Sequence, residues 1–256
     1  MATIDLQNVS VSLPIYNSRG RALKHEVLRR TVGSNLDHPK DQRATVVQAL
    51  NEVTLCLKDG DRVGLIGRNG AGKTTMLRVM SRIYQPTSGI AKIVGTISSM
   101  TDLSIGMSPE ATGYENIIMR GIMLGLTRKQ AAALIPDVEE FTELGEYLEL
   151  PIRTYSAGMM LRLSFAVSTA IKPEIIILDE MISVGDAAFM EKASARIASL
   201  LETASIMVLA THDDALLRRL CLTAVWMNYG RITAMGNVNS VIDRYHSETA
   251  TGRCPS

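Results

Sequence analysis

Residues 63–80 read VGLIGRNGAGKTTMLRVM, and this stretch decides the fold. Gly67, Gly72, Lys73 and Thr74 satisfy G-x4-G-K-[ST], the pattern of a phosphate-binding loop set between a strand and a helix. Glycines at 67, 70 and 72 let the backbone curl close around phosphate oxygens, with successive N–H groups pointing inward as an anion nest. The helix from Thr74 onward turns its positive end toward the same charge. Lys73 can reach the β- and γ-phosphates, and the Thr74 hydroxyl can hold Mg2+. The flanks agree, since Arg62–Ile66 is a short apolar strand and Thr75–Met80 has helical spacing.

A second chemical motif stands at 175–180, IIILDE. Four apolar residues of a buried strand end in two carboxylates, which face opposite ways because side chains on a strand alternate. Asp179 can therefore face Mg2+ while Glu180 faces an attacking water. Between the two motifs, residues 153–162 read RTYSAGMMLR. There the small residues Ser156, Ala157 and Gly158 precede a helix spaced by Leu161, Phe165 and Ala166. A serine hydroxyl and bare N–H groups at a helix start form a second anion site. After the acidic pair come SVGD at 183–186 and ATHD at 210–213, with His212 just past a strand.

Working outward, residues 3–11 alternate apolar and polar as a half-buried strand, and Pro14 is expected to limit further pairing. Tyr16 leads from that strand toward the phosphate loop, where it either stacks on an adenine ring or is a partly buried loop tyrosine. Residues 17–45 form a basic insertion holding Arg19, Arg21, Lys24, Arg29 and Arg30. It reads as a solvated amphipathic helix or as a contact to a membrane-embedded partner or anionic lipid headgroups. Strand alternation returns over Val46–Leu57, and a short strand is expected over Ile90–Val94. From about Thr101 to Ala170 the character is helical, a subdomain inserted into an α/β core. Residues 174–178 and 206–210 are apolar, fully buried strands of the kind parallel sheets require.

The whole chain sets the bounds. Its 256 residues suffice for one large domain or a domain with a subdomain. A net charge of +1 gives no basic field, and aromatics are only 4%, so nucleic acid is not indicated. Cys56, Cys221 and Cys254 are odd in number and scattered, which fits a reducing compartment better than a disulfide framework. The N-terminus has no charged-then-apolar signal, and no apolar run approaches membrane-spanning length, because Arg120 interrupts Ile117–Leu126.

In this order the motifs resemble the ATP-binding cassette family, the cytoplasmic motor subunits of ABC transporters. GRNGAGKTT looks like their Walker A motif, IIILDE like Walker B, and YSAGM like a variant of the LSGGQ signature. SVGD resembles the loop after Walker B, and His212 the switch histidine. The resemblance covers about residues 3–235. Tyr155 and Met159 in the signature, VGDAAF at 184–189, GYEN at 113–116 and the insertion before Thr45 look like the subfamily that exports O-antigen, capsule, teichoic acid or galactan chains.

The resemblance implies an α/β fold: a P-loop, RecA-like core with a small N-terminal antiparallel β part and an inserted helical subdomain. Residues 1–100 and 171–235 would form the core, 101–170 the helical signature subdomain and 236–256 a C-terminal tail. It implies ATP hydrolysis with ATP and Mg2+, and two copies sandwiching two nucleotides head to tail. Each nucleotide would be held by Gly67, Asn69, Gly70, Ala71, Gly72, Lys73, Thr74 and Thr75 of one copy, with Tyr16 at the base. Ser156 and Gly158 of the other copy would complete the site, with Asp186 beside it. Thr74 and Asp179 would hold Mg2+, Glu180 would polarise the water, and His212 would contact the γ-phosphate.

The implied partners are two copies of an integral-membrane permease, reached from the cytoplasmic face of the bacterial membrane; the Met- and Gly-rich segment Gly106–Gly125 reads either as a groove for a coupling helix or as simple packing. No sugar-binding domain is expected within a chain ending at Ser256. The chain also departs from the family. Residues 97–107 carry no glutamine of the kind that usually contacts Mg2+ and the permease; Asp102 or Ser104 would stand near its place, with no role carried over. Ala157 replaces a glycine, and Leu13 stands where the first-strand aromatic is usual. Rival readings are a drug or lipid exporter's ATPase and a soluble cassette acting on ribosomes or DNA. The VGD loop and insertion speak against the first. Against the second, the chain holds one cassette and no long coiled arms.

Overall fold

The computed structural model describes residues 1–15, 45–100, 106–179 and 187–250. Tyr16, Asp102, Ser104, Glu180, Asp186 and all of the basic insertion but Thr45 lie outside the described residues.

Two sheets share one core. β1 (Thr3–Ile15) is the middle strand of an antiparallel sheet ordered β2-β1-β4, with β2 (Thr45–Lys58) and β4 (Ser88–Val94) on its flanks. Pro14 does not stop the pairing. β1 continues to Ile15, with Pro14 opposite Val46, whereas the last pair on its other side is Ser10 with Ser88. Beyond Ser10 the strand has a single neighbour among the described residues, which suits a residue without an N–H.

The second sheet runs β5-β6-β7-β3-β8-β9, with strands β3 (Arg62–Ile66), β5 (Ile97–Ser99), β6 (Ile175–Asp179), β7 (Ile206–Ala210), β8 (Thr223–Asn228) and β9 (Arg231–Asn237). All neighbours are parallel except β8 and β9. Its inner strands β3, β6 and β7 are apolar at nearly every position because both faces are covered, and successive residues feed different cores. Val63, Leu65, Ile175, Ile177, Ile206, Val208 and Val225 meet the antiparallel sheet and α1 (Lys73–Met80). Ile176, Leu178, Met207, Leu209 and Trp226 meet the opposite layer.

That layer holds α5 (Ala157–Ala170), α6 (Ala187–Thr203), α7 (Asp214–Leu220) and α8 (Val238–Ala250). Within the segment set apart as 236–256, α8 packs on β8: Val238, Val241 and Ile242 are buried, and Tyr245 meets Trp226 edge-on at 5.5 Å.

The helical part has α2 (Gly113–Met123), α3 (Arg128–Ala132), α4 (Ile135–Thr142) and two 3-10 turns, Gly145–Glu149 and Ile152–Thr154. Capping boxes start α2 (Thr112 with Glu115) and α3 (Thr127 with Gln130), satisfying backbone donors that the first turn leaves over. Its own core of Ile117, Val138, Leu148, Ile152, Leu163 and Val167 is closed on α5. It docks on α6 through the rings of Phe141, Phe165 and Phe189, whose centroids lie 5.6–5.8 Å apart. Lys192 with Glu143 and Arg196 with Asp137 add ion pairs across the same seam.

Candidate functional site

The parallel order β6-β7-β3 puts three carboxyl strand ends side by side. Asp179 is level with Ala210, and Leu65 is level with the same residue from the other side. Asp179, His212 and the loop after Ile66 therefore emerge on one edge, where ligands of open α/β sheets bind. A cavity of about 610 Å3 opens there. Its lining brings together Asn69, Gly70, Ala71, Gly72, Lys73, Thr74, Thr75, Asp179 and His212 of the residues singled out in the sequence.

The loop is shaped by contacts that exclude side chains. Gly67 has φ +145, and a Cβ on it would stand 2.3 Å from the Met227 carbonyl oxygen; Gly72 has φ +103, with the Ala49 oxygen 2.7 Å from its missing Cβ. Both positions require glycine on two counts, a left-handed backbone and a packed neighbour. Gly72 caps α1 without any side-chain bond, and the first turn of α1 holds no acid. The helix thus presents backbone donors and its positive end to the cavity. Lys73 folds over the loop, its Nζ donating to the Gly67 carbonyl at 2.6 Å.

The backbone around His212 is tied down by its neighbours. Thr211 Oγ1 accepts from the Asp213 amide at 3.1 Å, and Asp213 caps α7 by accepting from the Leu216 amide at 3.1 Å. Asp179 and the Thr74 hydroxyl line the same cavity. Among the described residues no three His, Cys, Asp or Glu side chains cluster as a metal cage. Mg2+ needs none, since it is held by one or two protein oxygens together with phosphate oxygens and water. The donor set fits a magnesium nucleotide.

Ser156 and Gly158 are not brought into this cavity. They sit at the exposed start of α5, where Ser156 Oγ accepts from the Met159 amide at 3.3 Å. A Cβ on Gly158 would meet only Ser156 Oγ, at 3.9 Å. Among the described residues nothing therefore demands a glycine there.

Sequence reading missed part of the lining. Val47, Gln48 and Ala49 of β2 form one wall, and Arg68 of the loop joins them. No motif marks the β2 residues; their signal is positional, because β2 leads by a short turn into β3 and its backbone packs on Gly72. Leu13, opposite Val47, packs on the core.

The comparisons agree with this geometry. The ABC transporter family profile matches residues 50–183. The O-antigen export system ATP-binding protein RfbE of Yersinia enterocolitica is 42% identical over 232 residues, covering 91% of this chain and 97% of that one. The O-antigen export system ATP-binding protein RfbB of Myxococcus xanthus is 37% identical across 100% of this chain, which spans 58% of that relative. Among solved structures, a dimeric ATP-binding cassette in a post-hydrolysis state bound to ADP and Pi aligns with TM-score 0.65 and 19% identity, over 92% of this chain and 98% of that one. That likeness is one of fold. With a phosphate loop, an acid-tipped strand and His212 on one sheet edge, and the Yersinia relative matched nearly end to end, the chain belongs to the ABC transporter family as an ATP-binding, ATP-hydrolysing cassette.

Proposed function

We propose that two copies of this chain close head to tail on two magnesium-ATP molecules and so power a membrane permease that exports a polysaccharide. The observation that carries it is the place of Ser156 and Gly158, which sit in the signature-like motif yet are exposed and outside the chain's own cavity. One phosphate loop leaves the far side of the γ-phosphate unneutralised. The uncapped α1 covers one side, and the α5 start of a second copy would cover the other.

Phosphoryl transfer to water needs mainly positioning and charge neutralisation. In this reading Lys73 binds the β- and γ-phosphates, and Ser156 and Gly158 of the second copy bind the γ-phosphate from across the interface. Thr74 and Asp179 would hold Mg2+, which supplies charge neutralisation at the phosphate oxygens when bound. Glu180 orients and polarises the water, and His212, fixed between Thr211 and Asp213, contacts the γ-phosphate. Tyr16 and Asp186 are assigned to the base and to the loop beside the nucleotide. The polysaccharide cargo, with O-antigen-like chains first, rests on the names of the two relatives. No helix among the described residues is long and apolar enough to cross a membrane; the transport path is assigned to a separate integral-membrane permease, with this chain docked on it at the cytoplasmic face.

The test is capture from native membranes with a Glu180→Gln variant and ATP. That variant is expected to keep ATP binding and lose turnover. A polytopic membrane protein encoded beside glycosyltransferases is the expected catch. Ribosomes, DNA or no membrane protein would overturn the transport reading.

A further inference from the structure

Tyr155 immediately precedes Ser156, and its surroundings explain why a phenol is there. Its hydroxyl donates to the Tyr147 carbonyl oxygen at 2.7 Å. The phenolic oxygen lies 2.5 Å from where a Cβ on Gly113 would stand, with Leu148 Cδ2 at 2.8 Å and Leu148 Cα at 3.0 Å from the same point. The ring of residue 155 thus occupies space that only a glycine at 113 leaves open. Gly113 is itself the first residue of α2, fixed by the Thr112–Glu115 capping box.

Further ties stitch the same two stretches together. Thr112 bridges Pro151, the Ile152 amide donates to Ala111, and the Arg153 amide donates to Pro109, each amide bond at 3.0 Å. These ties end at Tyr155. Ser156, Ala157 and Gly158 beyond it are exposed. Tyr155 is therefore the last anchored residue before the free start of α5.

We propose that Tyr155, seated against Gly113, is a positioning residue for nucleotide closure: it sets where Ser156 and the first turn of α5 point when they meet the nucleotide of a second copy. It rests on the two-copy reading given above. Burial, and then the nearby Tyr114 phenol, push the Tyr155 hydroxyl up to about 12, so it stays a hydrogen-bond donor at neutral pH. The Tyr147 carbonyl also accepts from the Leu150 amide at 3.0 Å. Tyr155→Phe therefore keeps the ring packing and leaves no orphaned acceptor.

The test uses the full chain carrying Glu180→Gln. ATP-dependent dimerisation is followed by sedimentation velocity, and binding of a fluorescent ATP analogue is measured on dilute protein. Tyr155→Phe should leave analogue affinity unchanged and weaken dimerisation by up to about fivefold at each composite site, the ceiling set by one neutral hydrogen bond within the protomer. Gly113→Ala should weaken it further, and less so when combined with Tyr155→Phe, because removing the oxygen relieves part of the clash. Unchanged dimerisation in Tyr155→Phe overturns the proposal. A parallel loss of analogue affinity does so too, since it signals general loosening. Ser156→Arg separates the two layers. If it blocks the dimer while Tyr155→Phe is silent, only the positioning role fails. If it dimerises like its parent, or the parent never dimerises with ATP, the two-copy reading falls and takes the proposal with it.

Discussion

The Gly230 amide donates to the Ala71 carbonyl oxygen at 2.9 Å, which ties the turn between β8 and β9 to the phosphate loop. The Gly230 carbonyl accepts from the Asn51 amide of β2, also at 2.9 Å. One residue far along the chain thus joins the loop to the strand that forms the opposite wall of the cavity. The turn is tight and left-handed, with φ +45 at Tyr229 and φ +76 at Gly230.

A Cβ on Gly230 would stand 2.8 Å from the Ala49 oxygen and 3.1 Å from its carbonyl carbon. Gly230→Ala should cost about 1–3 kcal/mol from backbone strain and crowding. Because Ala49 lines the cavity, ATP affinity should fall about tenfold or more as well. Thermal melting and fluorescent-nucleotide binding read the two effects. Parental affinity in a destabilised variant would show that the turn does not shape the loop.

Lys73→Ala should act on the phosphates alone. Its Nζ lies over the loop carbonyls of Gly67 and Arg68, at 2.6 Å and 3.4 Å, so removing it takes away charge at the cavity without opening the core. A charge-assisted bond is worth about 1.5–3 kcal/mol, so ATP affinity should drop roughly tenfold to a hundredfold. Adenosine affinity, measured by calorimetry, should stay unchanged. An equal loss for adenosine would place Lys73 outside phosphate binding.

How much of this was readable in the sequence depends on whether a residue acts locally. The phosphate loop and the acid-tipped strand were legible because their chemistry is fixed by spacing along a few residues, and the fully apolar strands announced a sheet covered on both faces. Pro14 misled because strand pairing depends on which side has a neighbour, which no local pattern states. The wall of Val47, Gln48 and Ala49, and the Gly230 tie, were invisible because they arise where residues distant along the chain meet. Gly113 and Tyr155 were each noticed as motif letters, but their mutual fit appears only when α2 and the turn before α5 are side by side.

Arg120 was legible only as a break in an apolar run; the structure makes it a buried cross-brace. It is 5% exposed, and its Nη2 donates to Ser168 Oγ at 2.8 Å. Ser168 Oγ in turn donates to the Ser164 carbonyl at 2.7 Å, and Ser98 Oγ of β5 donates to the Ser168 carbonyl at 2.8 Å. The chain of bonds links α2, α5 and the core sheet. Arg120→Ala should lower stability by about 2–4 kcal/mol through lost bonds and a cavity. Urea unfolding measures it, and a loss below about 0.5 kcal/mol, the range of ordinary surface changes, would deny the brace.

Cys221 supplies a pH signature. It is 3% exposed, and burial pushes its thiol up to about 12, with Arg62 opposing part of the shift. The unfolded thiol ionises near its ordinary value of 9.0. Below that pH both states keep the proton, and the advantage of the neutral buried form is fully present. Above it the unfolded chain releases the proton first, so stability falls as pH rises from about 9 to about 12, by at most one proton's slope of about 1.4 kcal/mol per pH unit. Cys221→Ala should flatten that alkaline decline relative to the parent, and the difference between the two urea-unfolding profiles isolates the thiol from other groups. In a Cys254→Ser variant at pH 8, the exposed Cys56 should react quickly with a disulfide reagent while Cys221 reacts only on unfolding. Rapid reaction of a second thiol in the native protein would contradict the buried, protonated cysteine.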